Sequence, residues 1–157
     1  MTDRITKEHR SWNMARIRSK DTKPEKTVRS TLHAMGYRFR LHVKSLPGTP
    51  DIVLPKYHTA IFVHGCFWHR HPDCKYAYTP KSRIDFWNQK FEQNVARHRE
   101  VMMELQQLGW YSITVWECET KDTEKMFRKL AANLSHHNEK DTAENRGKEH
   151  EFIRSGR

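Results

Sequence analysis

Long apolar runs are missing from this 157-residue chain. No segment approaches the roughly 20 consecutive apolar residues that a membrane-spanning helix requires. Met1–Arg10 is polar where a secretory signal would carry its apolar stretch. These two absences predict a cytoplasmic protein with no membrane partner. Cysteine is scarce as well. Cys66, Cys74 and Cys118 are the only three, and an odd number argues against a disulfide framework. Negative charge is also in short supply. Nineteen Asp and Glu stand against 29 Lys and Arg, for a formal net charge of +10. That balance favours a polyanionic partner, nucleic acid before an anionic membrane. No internal repeat is present. The length suits one domain, and a hydrophobic fraction of 36% is enough for one modest core.

The apolar pattern divides the chain into elements. Residues 1–21 form a basic arm or short helix in which Trp12, Met14 and Ile17 lie among Arg10, Arg16, Arg18 and Lys20. Thr22, Pro24 and Glu25 have the pattern of a capped helix start. Val28, Leu32 and Met35 follow at helical spacing, and Gly36 supplies the stop. Tyr37, Phe39, Leu41 and Val43 alternate with Arg38, Arg40 and His42, which predicts a strand with one buried face. After a turn at 46–50, Asp51–Leu54 reads as a second strand. Tyr57–Val63 reads as a third, buried on both faces. Ser82 to Asp85 suggests a capping box opening a long helix. Its stripe is Ile84, Trp87, Phe91, Val95, Met102, Leu105 and Leu108, and Gly109 ends it. Trp110–Glu117 is a fourth strand. Thr123–Leu134 is a last helix, with Met126, Leu130 and Leu134 in line. A long helix between two strands implies a parallel crossover. The expected fold is α/β, a mixed sheet flanked by helices over 22–135, with a disordered tail at 136–157.

Three thiols and several imidazoles concentrate where the pattern is irregular. Cys66, His71 and Cys74 are followed by Cys118 just beyond the fourth strand. Three thiolates and one imidazole make the closed tetrahedral set that structural zinc prefers. If strands three and four are parallel neighbours, Cys66 and Cys118 emerge at the same sheet edge. His64, His69 and Asp73 compete with His71 for the fourth position, and three buried free thiols are the simpler alternative.

Asp51 at the start of a strand suits magnesium-assisted phosphodiester chemistry, although Asp is also common at the end of a Pro-Gly turn. His64, His69 and His71 offer general acid–base groups beyond what zinc needs. Histidines 33, 42, 58, 98, 136, 137 and 150 read as surface or helix-face residues. Glu25 is accounted for by capping, and Glu117 by strand termination. Phe67, Trp68 and Trp87 either form a miniature core for the zinc loop or act as a wedge between DNA base steps.

The run from His64 to His69 (HGCFWH), with His71, Asp51 after Leu46-Pro-Gly-Thr-Pro, and Trp116-Glu-Cys118, resembles the very-short-patch repair (Vsr) endonucleases from about Ser11 to Leu134. The resemblance implies a restriction-endonuclease-like core that nicks 5′ of the thymine at T:G mispairs left by deamination of 5-methylcytosine. It implies that Asp51 and the main-chain carbonyl of Val63 hold magnesium, with Glu25 supporting the hydrated ion. His69 would activate water and His64 would assist at the phosphate. Zinc would take Cys66, His71, Cys74 and Cys118. Phe67, Trp68 and Trp87 would intercalate, Lys90 and Asn94 would touch the mispaired region, and Met14 on the basic arm would enter the minor groove. The expected state is a monomer at the nucleoid, working with other DNA-repair proteins. Two departures stand out. The spacing of His71-Pro-Asp-Cys74 is of a kind that varies in the family. Val63 and Gly65 also stand where related nucleases carry a Glu-x-Lys pair, so histidine must replace lysine as base. The alternatives are a zinc-dependent DNA-binding regulator without catalysis and a nicking or restriction endonuclease with another target.

Overall fold

The structure is a computed structural model and describes residues 6–135; the expected tail at 136–157 lies outside the described residues. Four strands, β1 (Arg40–Leu41), β2 (Ile52–Leu54), β3 (Thr59–His64) and β4 (Tyr111–Trp116), form one sheet in the order β1-β2-β3-β4. The first two pairings are antiparallel and the third is parallel. Helices α1 (Lys7–Arg16), α2 (Lys23–Ala34) and α3 (Ile84–Gln107) precede α4, which occupies residues 123–135. This is a mixed α/β fold with a mixed sheet flanked by helices. No helix among the described residues is long and apolar enough to cross a membrane.

Strand periodicity decides which helix covers which face. Successive side chains on β3 point to opposite sides. Ile61 joins Val28 and Leu32 of α2, Ile52 and Leu54 of β2, and Met126, Leu130 and Leu134 of α4 in one buried cluster. Ala60 and Phe62 pack with Leu105 of α3 in another. The sheet is therefore sandwiched, and β3 is buried on both faces as its Ala-Ile-Phe-Val run predicts. Each fully buried Leu or Ile here contributes roughly 1.5–3 kcal/mol of transfer free energy. The crossover from β3 through α3 to β4 is parallel, with Val63 opposite Val115 and His64 opposite Trp116. It therefore brings the exits of both strands to one edge.

Thr22 caps α2 as its sequence predicts. Its hydroxyl accepts from the Glu25 N–H, and the Glu25 carboxylate accepts from the Thr22 N–H. Three local expectations differ. The first predicted strand shrinks to Arg40–Leu41, both exposed. His42 turns left-handed at φ 47° and ends the ladder, while Tyr37 and Phe39 still pack against the core. At α3 there is no capping box, because Arg83 takes the cap position at φ 53° without a side-chain bond. Ile84 and Leu108, assigned to the α3 stripe, are exposed at its two ends, Ile84 as the first helical residue and Leu108 as the cap. The expected turn at 46–50 is present. Gly48 sits there at φ +70°, and a Cβ on it would lie 2.5 Å from Val101 Cγ1 of α3. Only glycine lets the loop before β2 approach that helix.

Candidate active site and metal centre

The parallel pairing of β3 and β4 produces the cysteine cluster. Cys66 leaves β3 one residue past Gly65, and Cys118 leaves β4 one residue past Glu117. The Glu117 N–H donates to the His64 carbonyl (2.8 Å), which holds the two exits together. One ligand atom from each of Cys66, His71, Cys74 and Cys118 lies within 4.8 Å of the others. His71 Nδ1 is 3.6 Å from Cys66 Sγ and 3.3 Å from Cys118 Sγ. Trp116 stacks on the His71 ring with centroids 4.3 Å apart. Burial pushes the Cys66 thiol up to about 12. Three thiols and an imidazole converging at this range fit a tetrahedral thiophilic cation. The histidine of the set is His71; His64 and His69 are turned elsewhere.

Asp51 sits just before β2, facing the end of β3. Its Oδ2 accepts from the Val63 N–H at 2.8 Å. N–H and C=O of one strand residue point to the same side, so the Val63 carbonyl is directed to the Asp51 edge as well. The Asp51 side chain is 20% exposed. Burial raises its carboxyl to about 6, the nearby Glu25 charge adds to the rise, and the Val63 N–H opposes it. Glu25 is itself buried. It accepts from the Asp21 N–H (3.0 Å) and from Arg29 Nη2 (2.9 Å). Two crowded carboxylates beside a strand carbonyl suit a hard divalent cation, which would relieve their repulsion. They border a cleft of about 530 Å³ that also meets Val63, His64, His69 and Glu117.

His64 ends β3 on the α3 side, next to Phe62 in the strand's alternation. His69 folds back over it, the two rings stacking at 3.7 Å and 11°. His98 of α3 meets His64 edge-on at 4.2 Å, with its Nε2 3.4 Å from Thr114 Oγ1. Burial pulls His64 down to about 2, helped by His69 and His98, and pulls His69 down to about 4. Both rings are therefore neutral at pH 7. Each keeps a buried Nδ1 with no hydrogen-bond partner. Asn94, Arg97 and His98 line an adjoining smaller hollow of about 220 Å³ that His64 and His69 also border. The two hollows share Gly48, Phe62, His64 and His69, so the imidazole pair borders both, with Asp51, Glu25 and Glu117 in the larger and Arg97 in the smaller.

Phe67 packs against Trp68, Tyr78, Trp87 and Phe91 at centroid distances of 5.1–5.4 Å. Trp68 and Trp87 are 5.9 Å apart. Among these rings Phe91 is buried, Phe67, Trp68 and Trp87 are half-buried and Tyr78 is exposed, an arrangement that fits a core for the loop and a wedge held at its surface alike. Asn94 Nδ2 donates to the Trp68 carbonyl (3.1 Å), tying the cluster to α3. Lys90 and Met14 are exposed.

Two histidines read as surface residues belong to the site. His98 completes a trio of imidazoles. His42 contacts Arg29, Asp21, Glu25 and Asp51. The His98 position was visible in sequence only as one more polar place on a long helix. His42 stood in an alternation that made it an outward strand residue. In each case the missing signal was tertiary.

A family model described as DNA mismatch endonuclease Vsr matches residues 2–76. The type II nicking enzyme V.XorIIP of Xanthomonas oryzae pv. oryzae is 53% identical over 122 residues, covering 78% of this chain and 89% of that enzyme. The type II nicking enzyme V.NmeAIP of Neisseria meningitidis is 47% identical, covering 78% and 86%. The DNA mismatch endonuclease Vsr of Escherichia coli is 44% identical, covering 80% of each chain.

Proposed function

Because this chain belongs to the Vsr family of DNA mismatch endonucleases, we propose that it nicks duplex DNA 5′ of a thymine mispaired with guanine. Such mispairs arise by deamination of 5-methylcytosine, and the nick begins very-short-patch repair. The observation that carries this reading is the convergence of the Asp51 carboxylate, the Val63 peptide and the His64–His69 stack on one cleft. On this reading the mixed sheet is a restriction-endonuclease-like core.

Asp51 and the Val63 carbonyl would hold magnesium, with Glu25 supporting its hydration. The bound ion would polarise the phosphoryl oxygen and offset the charge that develops there. Asp51 must be ionised for this; burial raises its carboxyl to about 6 in the metal-free protein, and a bound cation would bring it back down. His69, kept neutral by burial, accepts the proton of the attacking water as the water oxygen bonds to phosphorus and the bond to the leaving sugar oxygen breaks; that oxygen takes a proton from solvent water and leaves as a hydroxyl. His64 lies parallel beneath it and assists at the phosphate. An arriving phosphate brings negative charge that favours the protonated imidazole, so the base strengthens when substrate is in place. Arg97, bordering the adjoining hollow, adds positive charge for the DNA backbone.

The Cys66, His71, Cys74 and Cys118 set would take zinc, stapling the aromatic loop to the end of β4. Phe67, Trp68 and Trp87, already packed into one block, would enter the stack beside the mispair. A mismatch lowers the unstacking cost of that entry. Lys90 and Asn94 would face the mispaired region, and α1 would carry Met14 into the minor groove. The protein would act as a monomer in the cytoplasm near the nucleoid, alongside other repair proteins.

A nicking assay tests the reading, using T:G, other mispaired and matched duplexes with varied flanks, each with and without magnesium. Nicking confined to T:G duplexes and to magnesium is expected. The names of the first two relatives favour one further reading, a nicking enzyme with another target; equal rates on matched and mispaired DNA would select it. Tight binding without cleavage would leave a non-catalytic zinc-dependent regulator.

A further inference from the structure

The backbone and the side chain of His42 converge on Asp51. The His42 N–H donates to the Asp51 carbonyl at 3.3 Å. Its ring Nδ1 stands 4.0 Å from Asp51 Oδ1. Its φ of 47° is left-handed, a conformation that is costly for most L residues. The strain is tied to a place, because the same turn ends β1 and swings the ring under the carboxylate.

The far side of the ring is fixed by Arg29. Nη2 of Arg29 is 3.0 Å from His42 Nε2. The same guanidinium reaches Asp21 Oδ1 (2.6 Å) and Glu25 Oε2 (2.9 Å). A guanidinium only donates hydrogen bonds. At 3.0 Å this donor is nearer to Nε2 than the Glu25 (3.6 Å) and Asp21 (3.7 Å) carboxylate oxygens, so Nε2 accepts and a neutral ring carries its proton on Nδ1, the nitrogen that faces Asp51. Asp51 then has the Val63 N–H hydrogen-bonded to Oδ2 and the His42 ring N–H facing Oδ1 across 4.0 Å, an electrostatic contact longer than a hydrogen bond.

We propose that His42 is a positioning residue for the metal-binding carboxylate, with Arg29 holding the imidazole so that its Nδ1–H orients Asp51 toward the cleft. This deepens the magnesium-dependent reading above and rests on it. Asp21 and Glu25 hold the Arg29 guanidinium that in turn holds the ring, and because Arg29 already supplies the positive charge among them, Asp21, Glu25 and His42 do not make a further cation site; Glu25 keeps its place beside Asp51. Partners that orient metal ligands commonly change metal affinity by about 10- to 100-fold when removed.

The test compares wild type, His42→Asn and His42→Gly in the full chain loaded with zinc. Both replacements accept a left-handed φ, so backbone strain does not confuse the comparison. Asn keeps an N–H near the Nδ1 position; Gly removes it. Magnesium binding to the free protein is measured by calorimetry, and nicking is followed as a function of magnesium concentration. Long-range proton–nitrogen spectra of the imidazoles report the tautomer. The expected result is a wild-type His42 protonated at Nδ1, magnesium binding weakened at least about tenfold in His42→Gly, and His42→Asn within about threefold of wild type. Nicking at saturating magnesium should be largely retained. Equal magnesium affinity in all three proteins, an Asn variant as weak as Gly, or a proton on Nε2 would overturn the proposal. A wild type that binds no magnesium would instead remove the underlying metal reading, while the tautomer spectrum would still decide whether the ring N–H faces Asp51.

Discussion

Replacing Asp51 by Asn should make the metal-free protein more stable while abolishing nicking. The carboxyl is raised from 3.8 to about 6, chiefly by burial and secondarily by the Glu25 charge. At about 1.4 kcal/mol per tenfold change in proton affinity, holding Asp51 ionised in the fold costs about 3 kcal/mol. Asn cannot ionise, is nearly the same shape, and its amide oxygen can keep the bond from the Val63 N–H. The sign follows from linkage. The folded state binds the Asp51 proton more tightly than the unfolded chain does. Stability contributed by this group therefore falls as pH rises from about 4 to about 6, and the full penalty applies above that range. Urea unfolding of zinc-loaded, magnesium-free protein should thus favour Asp51→Asn by about 3 kcal/mol at pH 8 and by about half of that at pH 5. Added magnesium should stabilise wild type and leave the variant unchanged, closing the gap. A variant that is no more stable at pH 8, or whose advantage does not shrink on acidification, would refute the claim that this carboxylate is strained in the empty fold.

Nicking by wild type at limiting magnesium should fall as pH drops through about 6, since Asp51 protonates there, and the limb should move to lower pH at high magnesium; a limb insensitive to magnesium would exclude Asp51 as its source. His69→Ala should lower the single-turnover nicking rate by about 10²- to 10⁴-fold with DNA affinity nearly kept, and a loss seen only in binding would deny it a role as base. Cys118→Ala should unbind zinc and lower the melting temperature by ~10 °C or more; wild-type metal content and melting would count against the cluster. Gly48→Ala should destabilise the fold by about 2–4 kcal/mol, through contact with Val101 and its positive φ. Adding Val101→Ala should recover little if strain dominates and more if the contact does, which a double-mutant cycle resolves.

Local chemistry determined much of this protein. Thr22 and Glu25 were enough to place a capped helix, because a capping box is satisfied within four residues. The Ala-Ile-Phe-Val run was enough for a doubly buried strand, since a strand with helices on both faces has no polar side to display. Met126, Leu130 and Leu134 marked one helix face, and all three are buried. The metal-ligating residue types, the HGCFWH run and Asp51 were likewise legible, because chemistry restricts which side chains can do such work.

Contacts between distant segments were decided by the tertiary structure alone. Whether His71 or a neighbour met the three thiols depended on the fold of the loop, which stacks His69 on His64 and turns His71 toward Cys118. His98 became part of the imidazole cluster only because α3 crosses the end of β3. His42 became a neighbour of Asp51 only because β1 stops after two residues in a left-handed turn. Periodicity reports which side of its own element a residue faces. It carries no information on what another element brings to that side, and so the sequence could name the reactive groups while the packing of β3, β4 and α3 selected which of them meet.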